Sequence, residues 1–202
     1  AFGAVGFGLA DIQLMHCDVP EWNHLDGLRV PEAAARLGME PFEFYARLTV
    51  ASHRNARVLN HTYSGDRGEE DALRAVLAHP LCTIETDTLL TEQGHQNPAS
   101  FGTFPRVLST YVREGLFSLE EAVRRMTGAA ADRLGWSERG LVRRGQAADL
   151  VVFDPKRLAD RASFAEPALA PEGIDDVFVN GRAVLRAGRY DAGAKAGVVI
   201  RT

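Results

Sequence analysis

The sequence predicts an α/β fold that gives way to a small all-β tail, and three observations carry that prediction. Strand-like and helix-like stretches alternate from Leu9 to Asp87. One strand-like run, Leu81-Cys82-Thr83-Ile84-Glu85-Thr86-Asp87, ends on a carboxylate just before a polar loop. From Gly140 the helical pattern stops, and a strong hairpin signal follows at Asn180-Gly181. Alternating strands and helices predict a parallel sheet with crossover helices, whereas short runs separated by turn residues predict antiparallel pairing.

Leu9 to Met15 alternates with period two and reads as a strand, broken by His16-Cys17-Asp18-Val19-Pro20. Pro31 opens a short helix whose Val30, Ala34 and Leu37 share a face and which Gly38 closes. Pro41 opens the next, with Phe44, Tyr45, Leu48 and Ala51 at helical spacing. Ala56 to Leu59 is a brief apolar run ending at Asn60-His61, and Ser64-Gly65-Asp66-Arg67-Gly68 is loop chemistry. Glu69 to Ala78 reads as a helix with acids in its first turn and Leu73, Val76 and Leu77 facing inward. Leu81 to Asp87 is then the central strand.

After Arg106 the spacing predicts a helix to about Glu114, with Val107, Leu108, Tyr111 and Val112 on one side. Ser118-Leu119-Glu120-Glu121 has the form of a capping box, with Leu119, Val123 and Met126 as the inward stripe of the helix it starts. Ala129 to Leu134 is a further short helix closed by Gly135. In the tail, Ala148 to Asp154 is a strand stopped by Pro155, and Val177 to Leu185 is a hairpin on Asn180-Gly181, with another turn at Ala187-Gly188.

Composition narrows the function classes. The chain of 202 residues is long enough for a substantial core, with 46% hydrophobic and 25% charged residues. A net charge of −4 gives no basic field, so nucleic acid is not an expected partner. No apolar stretch reads as a membrane span or signal peptide. Cys17 and Cys82 read as reduced packing residues of a cytoplasmic protein, not as a disulfide framework.

Asp87 is the expected chemical centre, because strand C-termini build the site in barrel-type α/β enzymes. Glu85 shares its strand face under period-two alternation. His61, at the end of a strand, and His95 with Asn97, in the loop after Asp87, are candidate substrate contacts, as is Arg106 for a substrate carboxylate. His16, Cys17 and Asp18 are adjacent, so their side chains diverge and do not serve one ion together.

Several stretches together resemble the C-terminal part of N-acyl-D-amino-acid deacylases (D-aminoacylases), a branch of the metal-dependent amidohydrolase superfamily. They are Glu85-Thr86-Asp87-Thr88, Gly102-Thr103-Phe104-Pro105-Arg106-Val107-Leu108, Leu119 to Gly128, Gly145 to Asp154 and Val179-Asn180-Gly181. The resemblance is dense from Glu69 to Val184. The Gly-x-Ala-Ala-Asp-Leu-Val-Val-Phe-Asp pattern at 145–154 marks the superfamily, and Gly102 to Val107 narrows it to the deacylases.

The resemblance implies the last strand–helix units of a TIM-like (β/α) barrel over 1–139, and strands of a small composite β-sandwich over 140–202. It implies Zn²⁺ that activates a water against the amide of a small N-acyl amino acid. Asp87 is then the residue that meets the metal, takes the water's proton and passes it to the leaving amine. The His-x-His pair of the superfamily's first barrel strand, its bridging Lys or Cys and two later histidines have no counterpart, and all are expected before Ala1. The 202-residue chain alone is therefore expected to be inactive, and to self-associate or to need the N-terminal part. Two other readings stand beside this one: a cyclic-amide hydrolase of the dihydropyrimidinase or hydantoinase type, against which the Gly102 to Val107 run counts, and a non-catalytic assembly module.

Overall fold

A computed structural model describes residues 8–61 and 70–200. The expected loop at Ser64 to Gly68 lies outside the described residues. The chain divides into two compact units, one made by the described residues of Ala1–Val76 with Thr88–Ser100 and Ser163–Ala168, the other by Leu77–Asp87, Phe101–Ala162 and Leu169–Thr202.

In the first unit a 3₁₀ turn at Leu9–Asp11 leads into β1 (Ile12–His16). Two helices follow, α1 (Val30–Arg36) and α2 (Pro41–Ala51), each with Pro in its first turn, where a missing N–H costs nothing. The Glu32 carboxylate accepts the Arg29 N–H at 3.0 Å and so fixes the start of α1. Phe44 and Leu48, one turn apart on α2, close over Ile12, Leu14, Val30, Ala33 and Ala34, and Trp22 lies 5.6 Å from the Phe44 ring. Burying a side chain of this size contributes roughly 2 kcal/mol.

β2 (Arg57–Asn60) pairs with β1, and the pairing is antiparallel, with Ile12 opposite Asn60 and Leu14 opposite Val58. The expected parallel arrangement is not what these residues form. On its other side β1 bonds the segment before α1, where Leu14 N–H donates to Leu28 O and Leu14 O accepts from Gly27 N–H, both at 2.8 Å, and the bridge of Gln13 with Arg29 is antiparallel as well. α3 (Glu70–Ala78) follows the predicted span over the described residues, but Leu73 and Val76 are exposed instead of facing inward.

The second unit corrects the central-strand expectation. Leu81 to Asp87 joins no ladder among the described residues, and only Ile84 of its residues is fully buried. A strand is defined by partners supplied from elsewhere in the chain, and this run meets distant residues at scattered points: Ile84 N–H donates to Arg125 O at 3.4 Å, and Leu81 O accepts from Arg133 Nη2 at 3.3 Å. Ile84 instead packs with Val107, Tyr111 and Ala122.

The next helix, α4 (Ala99–Arg106), starts earlier than the sequence spacing suggests and passes into a π turn at Val107–Tyr111. Asn97 provides the early start: its Oδ1 accepts the Ala99 N–H at 2.9 Å. Pro105, inside α4, has no N–H to give the preceding turn, and the widened turn follows directly.

α5 (Leu119–Met126) shows half of the expected capping box. Ser118 Oγ accepts the Glu121 N–H at 3.2 Å, but the Glu121 carboxylate turns away to Arg124 and Arg125, both at 2.7 Å. Two charge-assisted bonds outcompete one backbone amide. Arg125, 4% exposed, also donates to the carbonyls of Leu77 and His79. It and Ala122 therefore form the inward face, and Val123, expected there, is exposed.

These bonds hold the Glu121 carboxyl down to about 2, first through Arg124 and then Arg125. A depressed carboxyl contributes stability above its ordinary value of 4.5 that is lost as pH falls toward about 2. The urea midpoint is expected to fall through that window, and Glu121→Gln to flatten the fall. An identical fall in the variant would contradict this assignment.

α6 (Gly128–Leu134) ends as expected on Gly135, at φ 71°. The tail is one antiparallel sheet in the order β3 (Leu150–Phe153), β4 (Ile174–Val179), β5 (Arg182–Arg186), β6 (Arg189–Tyr190). Asn180 (φ 48°) and Gly181 (φ 79°) form the tight turn that matches strand twist, and Ala187 and Gly188 form a second. Asp149 fastens the first by accepting the Asn180 N–H at 2.8 Å.

Candidate active site

In the first unit, β1 and the end of β2 place three polar side chains together. His61 follows β2, and Arg29 Nη2 donates to its Nδ1 at 3.1 Å. A ring nitrogen that accepts leaves the proton on the other, so His61 Nε2–H donates to Gln13 Oε1 at 2.9 Å. That orients the Gln13 amide, whose Nε2 donates to Gly27 O at 2.7 Å. His95 Nε2 lies 2.7 Å from Phe164 O, a pure acceptor, so His95 also carries its proton on Nε2. The 3.4 Å approach of Gln13 Nε2 to His95 Nε2 then sets two donors side by side and is not a bond. The His61 ring stacks on Phe164 at 4.1 Å.

His95 reaches this cluster because its loop is tied down. Its N–H bonds Met15 O, and Arg57 donates to Thr91 Oγ1 and Gln93 O. Gly94, at φ 79°, runs so close to Met15 O and His16 Cβ that no side chain fits there. Asn97 belongs to the same unit but serves the start of α4.

His16 is separate from these residues. Its Nδ1 bonds Asp26 at 2.9 Å, and the same carboxylate takes the Cys17 N–H at 2.8 Å. Burial, then the Asp26 charge and hydrogen bond, push the Cys17 thiol up to about 12. Iodoacetamide at pH 8 is accordingly expected to modify the part-exposed Cys82 while Cys17 stays unmodified in the folded chain. Mass spectrometry showing Cys17 alkylated first would contradict it.

Asp87 is the last residue of its segment of the second unit, exposed, at φ 45°, and without a hydrogen bond or ion pair among the described residues. A left-handed backbone at a non-glycine residue costs of order 1 kcal/mol or more and is frequent at reactive positions. Glu85 is exposed as well. Arg106, on the last turn of α4, is exposed and forms no ion pair among the described residues.

Sequence reasoning did not single out Gln13 or Arg29. Alternation along β1 points Gln13 to solvent, yet it is 6% exposed. The signal was a lone amide between Ile12 and Leu14, readable only once its histidine partners are placed.

The amidohydrolase family profile matches residues 29–185, and the chain belongs to that family. Among curated relatives, the N-acyl-D-aspartate deacylase of Alcaligenes xylosoxydans xylosoxydans is 48% identical over 110 residues, which is 54% of this chain and 22% of the relative. The D-aminoacylase of the same organism is 41% identical over 135 residues, 66% of this chain and 28% of the relative. The structure of N-acyl-D-glutamate deacylase from Bordetella bronchiseptica, complexed with zinc and a phosphonate mimic of the tetrahedral intermediate, superposes with a TM-score of 0.77. It is 36% identical and covers 96% of this chain and 38% of its own. A D-aminoacylase structure superposes with a TM-score of 0.75 at 36% identity, over 92% of this chain and 36% of its own. A binuclear metal centre is described for D-aminoacylase. The chain thus spans about a quarter of the length of the curated relatives.

A metal ion does not fit the described residues on their own. No group of three His, Cys, Asp or Glu side chains converges among them, and one carboxylate does not hold zinc. His61 and His95 have both Nε2 atoms committed to hydrogen bonds. No helix among the described residues is long and apolar enough to cross a membrane.

Proposed function

We propose that the chain is the C-terminal share of a metal-dependent hydrolase that cleaves the amide of N-acyl-D-amino acids. The observation that carries this is the likeness, over nearly the whole chain, to a deacylase held with a mimic of its reaction intermediate. In this reading 1–139 supplies the last units of a (β/α) barrel and 140–202 supplies one sheet of a composite sandwich. The exposure of Val151 and Val152 on β3 suits a sheet that a second one covers. In isolation the same surface favours self-association. Two free cysteines suit a cytoplasmic protein.

Asp87 is the proton carrier. Its carboxylate takes a proton from the attacking water as the new C–O bond forms, and gives it to the nitrogen as the C–N bond breaks. The products are a carboxylate and a free D-amino acid. Its exposure leaves it free for a substrate, and its lack of a partner leaves the carboxylate uncommitted. Arg106 is suited to the substrate carboxylate, and His95 keeps an Nδ1 acceptor for a substrate donor, while His61 and Asn97 stand as further candidate substrate contacts. Zinc belongs to the complete enzyme, with Asp87 as one ligand among several.

The test is a chimera in which these residues replace the matching stretch of the Alcaligenes N-acyl-D-aspartate deacylase. The chimera is expected to hydrolyse at least one N-acetyl-D-amino acid when loaded with zinc, and the 202-residue chain alone to hydrolyse none. A folded, zinc-loaded chimera inert toward all of them would sink the reading.

A further inference from the structure

The turn between β4 and β5 carries chemistry that the deacylase reading does not use. Asn180-Gly181 is the one place in the sequence where an asparagine precedes a glycine; Asn23, Asn55, Asn60 and Asn97 are followed by His, Ala, His and Pro. Asparagine before glycine is the pair most prone to spontaneous deamidation, because glycine has no side chain to keep its amide nitrogen away from the asparagine Cγ. The step needs no enzyme. The Gly181 nitrogen gives up its proton and bonds to Asn180 Cγ, the side-chain nitrogen leaves as ammonia, and water opens the resulting succinimide to an aspartyl or an isoaspartyl residue.

The fold holds both reacting groups. Asn180 Nδ2 donates to Ala196 O at 2.7 Å, and Gly181 N–H donates to Ala148 O at 2.9 Å. Bringing the Gly181 nitrogen onto Cγ gives up both bonds. The turn is pinned from below as well, since Asp149 accepts the Asn180 N–H through one oxygen and Arg139 Nη1 through the other. Ala196 lies in the C-terminal segment that follows β6, and Asp191 sets the path of that segment. Its N–H donates to Val184 O, and its carboxylate accepts the Gly193 N–H, both at 2.9 Å. Beyond Asp191, the bond from Asn180 is the one hydrogen bond that ties the segment to the sheet among the described residues, and Val198 and Val199 past it are exposed.

We propose that Asn180 is a latent deamidation site, held unreacted by the docked C-terminal segment and releasing that segment once it is converted. Either product lacks the donor that Ala196 O accepts from and sets a carboxylate oxygen against it, and the isoaspartyl form also adds a methylene to the backbone of a two-residue turn. The conversion runs one way, so the release is permanent. The site is independent of Asp87 and does not rest on the proposed hydrolysis.

The experiment incubates the 202-residue chain under mildly alkaline conditions, folded and in concentrated urea, and follows Asn180 by peptide mass spectrometry. The folded chain is expected to deamidate there about thirtyfold more slowly than the unfolded one, the rate equivalent of two hydrogen bonds of ordinary net strength. Asp191→Ala, a change at an exposed side chain that loosens the turn leading to Ala196, is expected to deamidate about threefold faster than the folded parent. Asn180→Asp reads the consequence: trypsin is expected to cut after Lys195 about fivefold faster than in the parent, because cleavage follows the population of the released segment. A folded parent that deamidates at the unfolded rate, or an Asp191→Ala chain no faster than the parent, would overturn the proposal. So would an Asn180→Asp chain cut after Lys195 no faster than the parent.

Discussion

Asp87→Asn is expected to lower kcat of the zinc-loaded chimera by about a thousandfold, the usual scale for removing a positioned proton carrier. KM is expected to change little, because Asn keeps the size of the side chain and one of its two oxygens. The urea midpoint is expected to hold or rise slightly, since Asn tolerates the left-handed backbone at φ 45°. Steady-state kinetics with N-acetyl-D-amino acids measure the first two, and chemical denaturation the third. A loss in KM alone would make Asp87 a binding residue and not the proton carrier.

The largest expected loss of stability comes from Arg125→Ala. This guanidinium is 4% exposed, and it joins the Glu121 carboxylate, the carbonyls of Leu77 and His79, and the face of Phe117 at 5.3 Å. Truncation leaves two carbonyls without their donor and opens a gap beside Ala122, a loss of about 3 kcal/mol. Arg125→Lys restores one charge but not the forked geometry, and is expected to recover less than half of it. Urea denaturation of the 202-residue chain reads both. A midpoint for Arg125→Ala within error of the parent would contradict the role given to this side chain.

The parts of the fold legible in the sequence were those set by neighbours in the chain. Asn180-Gly181 makes its turn because both residues adopt positive φ, and Gly135 ends α6 for the same reason. Pro31 and Pro41 mark helix starts because their rings fix φ and their missing amides are not needed there. Leu81 to Asp87 was misread because strand identity depends on partners distant in sequence, and apolar residues in a row do not specify them. Val123, expected to face inward, is exposed and Arg125 is buried for a related reason. The carbonyls that draw Arg125 inward belong to Leu77 and His79, more than forty residues away.

The candidate site divides in the same way. Asp87 was singled out from its position in a local motif, which needs no distant partner to be noticed. Gln13 was not, because its burial is set by His61 and by Gly27 and Phe164 carbonyls that approach from other segments. His61 and His95 were singled out as substrate contacts. Their tautomers, and hence the one lone pair left on His95, follow only from Arg29 and Phe164.

Chemical rescue tests the proton-carrier assignment most directly. In the zinc-loaded chimera, Asp87→Ala is expected to abolish turnover, and added formate to restore a saturable part of it by placing a small carboxylate where the side chain stood. A folded Asp87→Ala chimera that keeps full activity, or one that loses it and gains nothing from formate, would contradict the account.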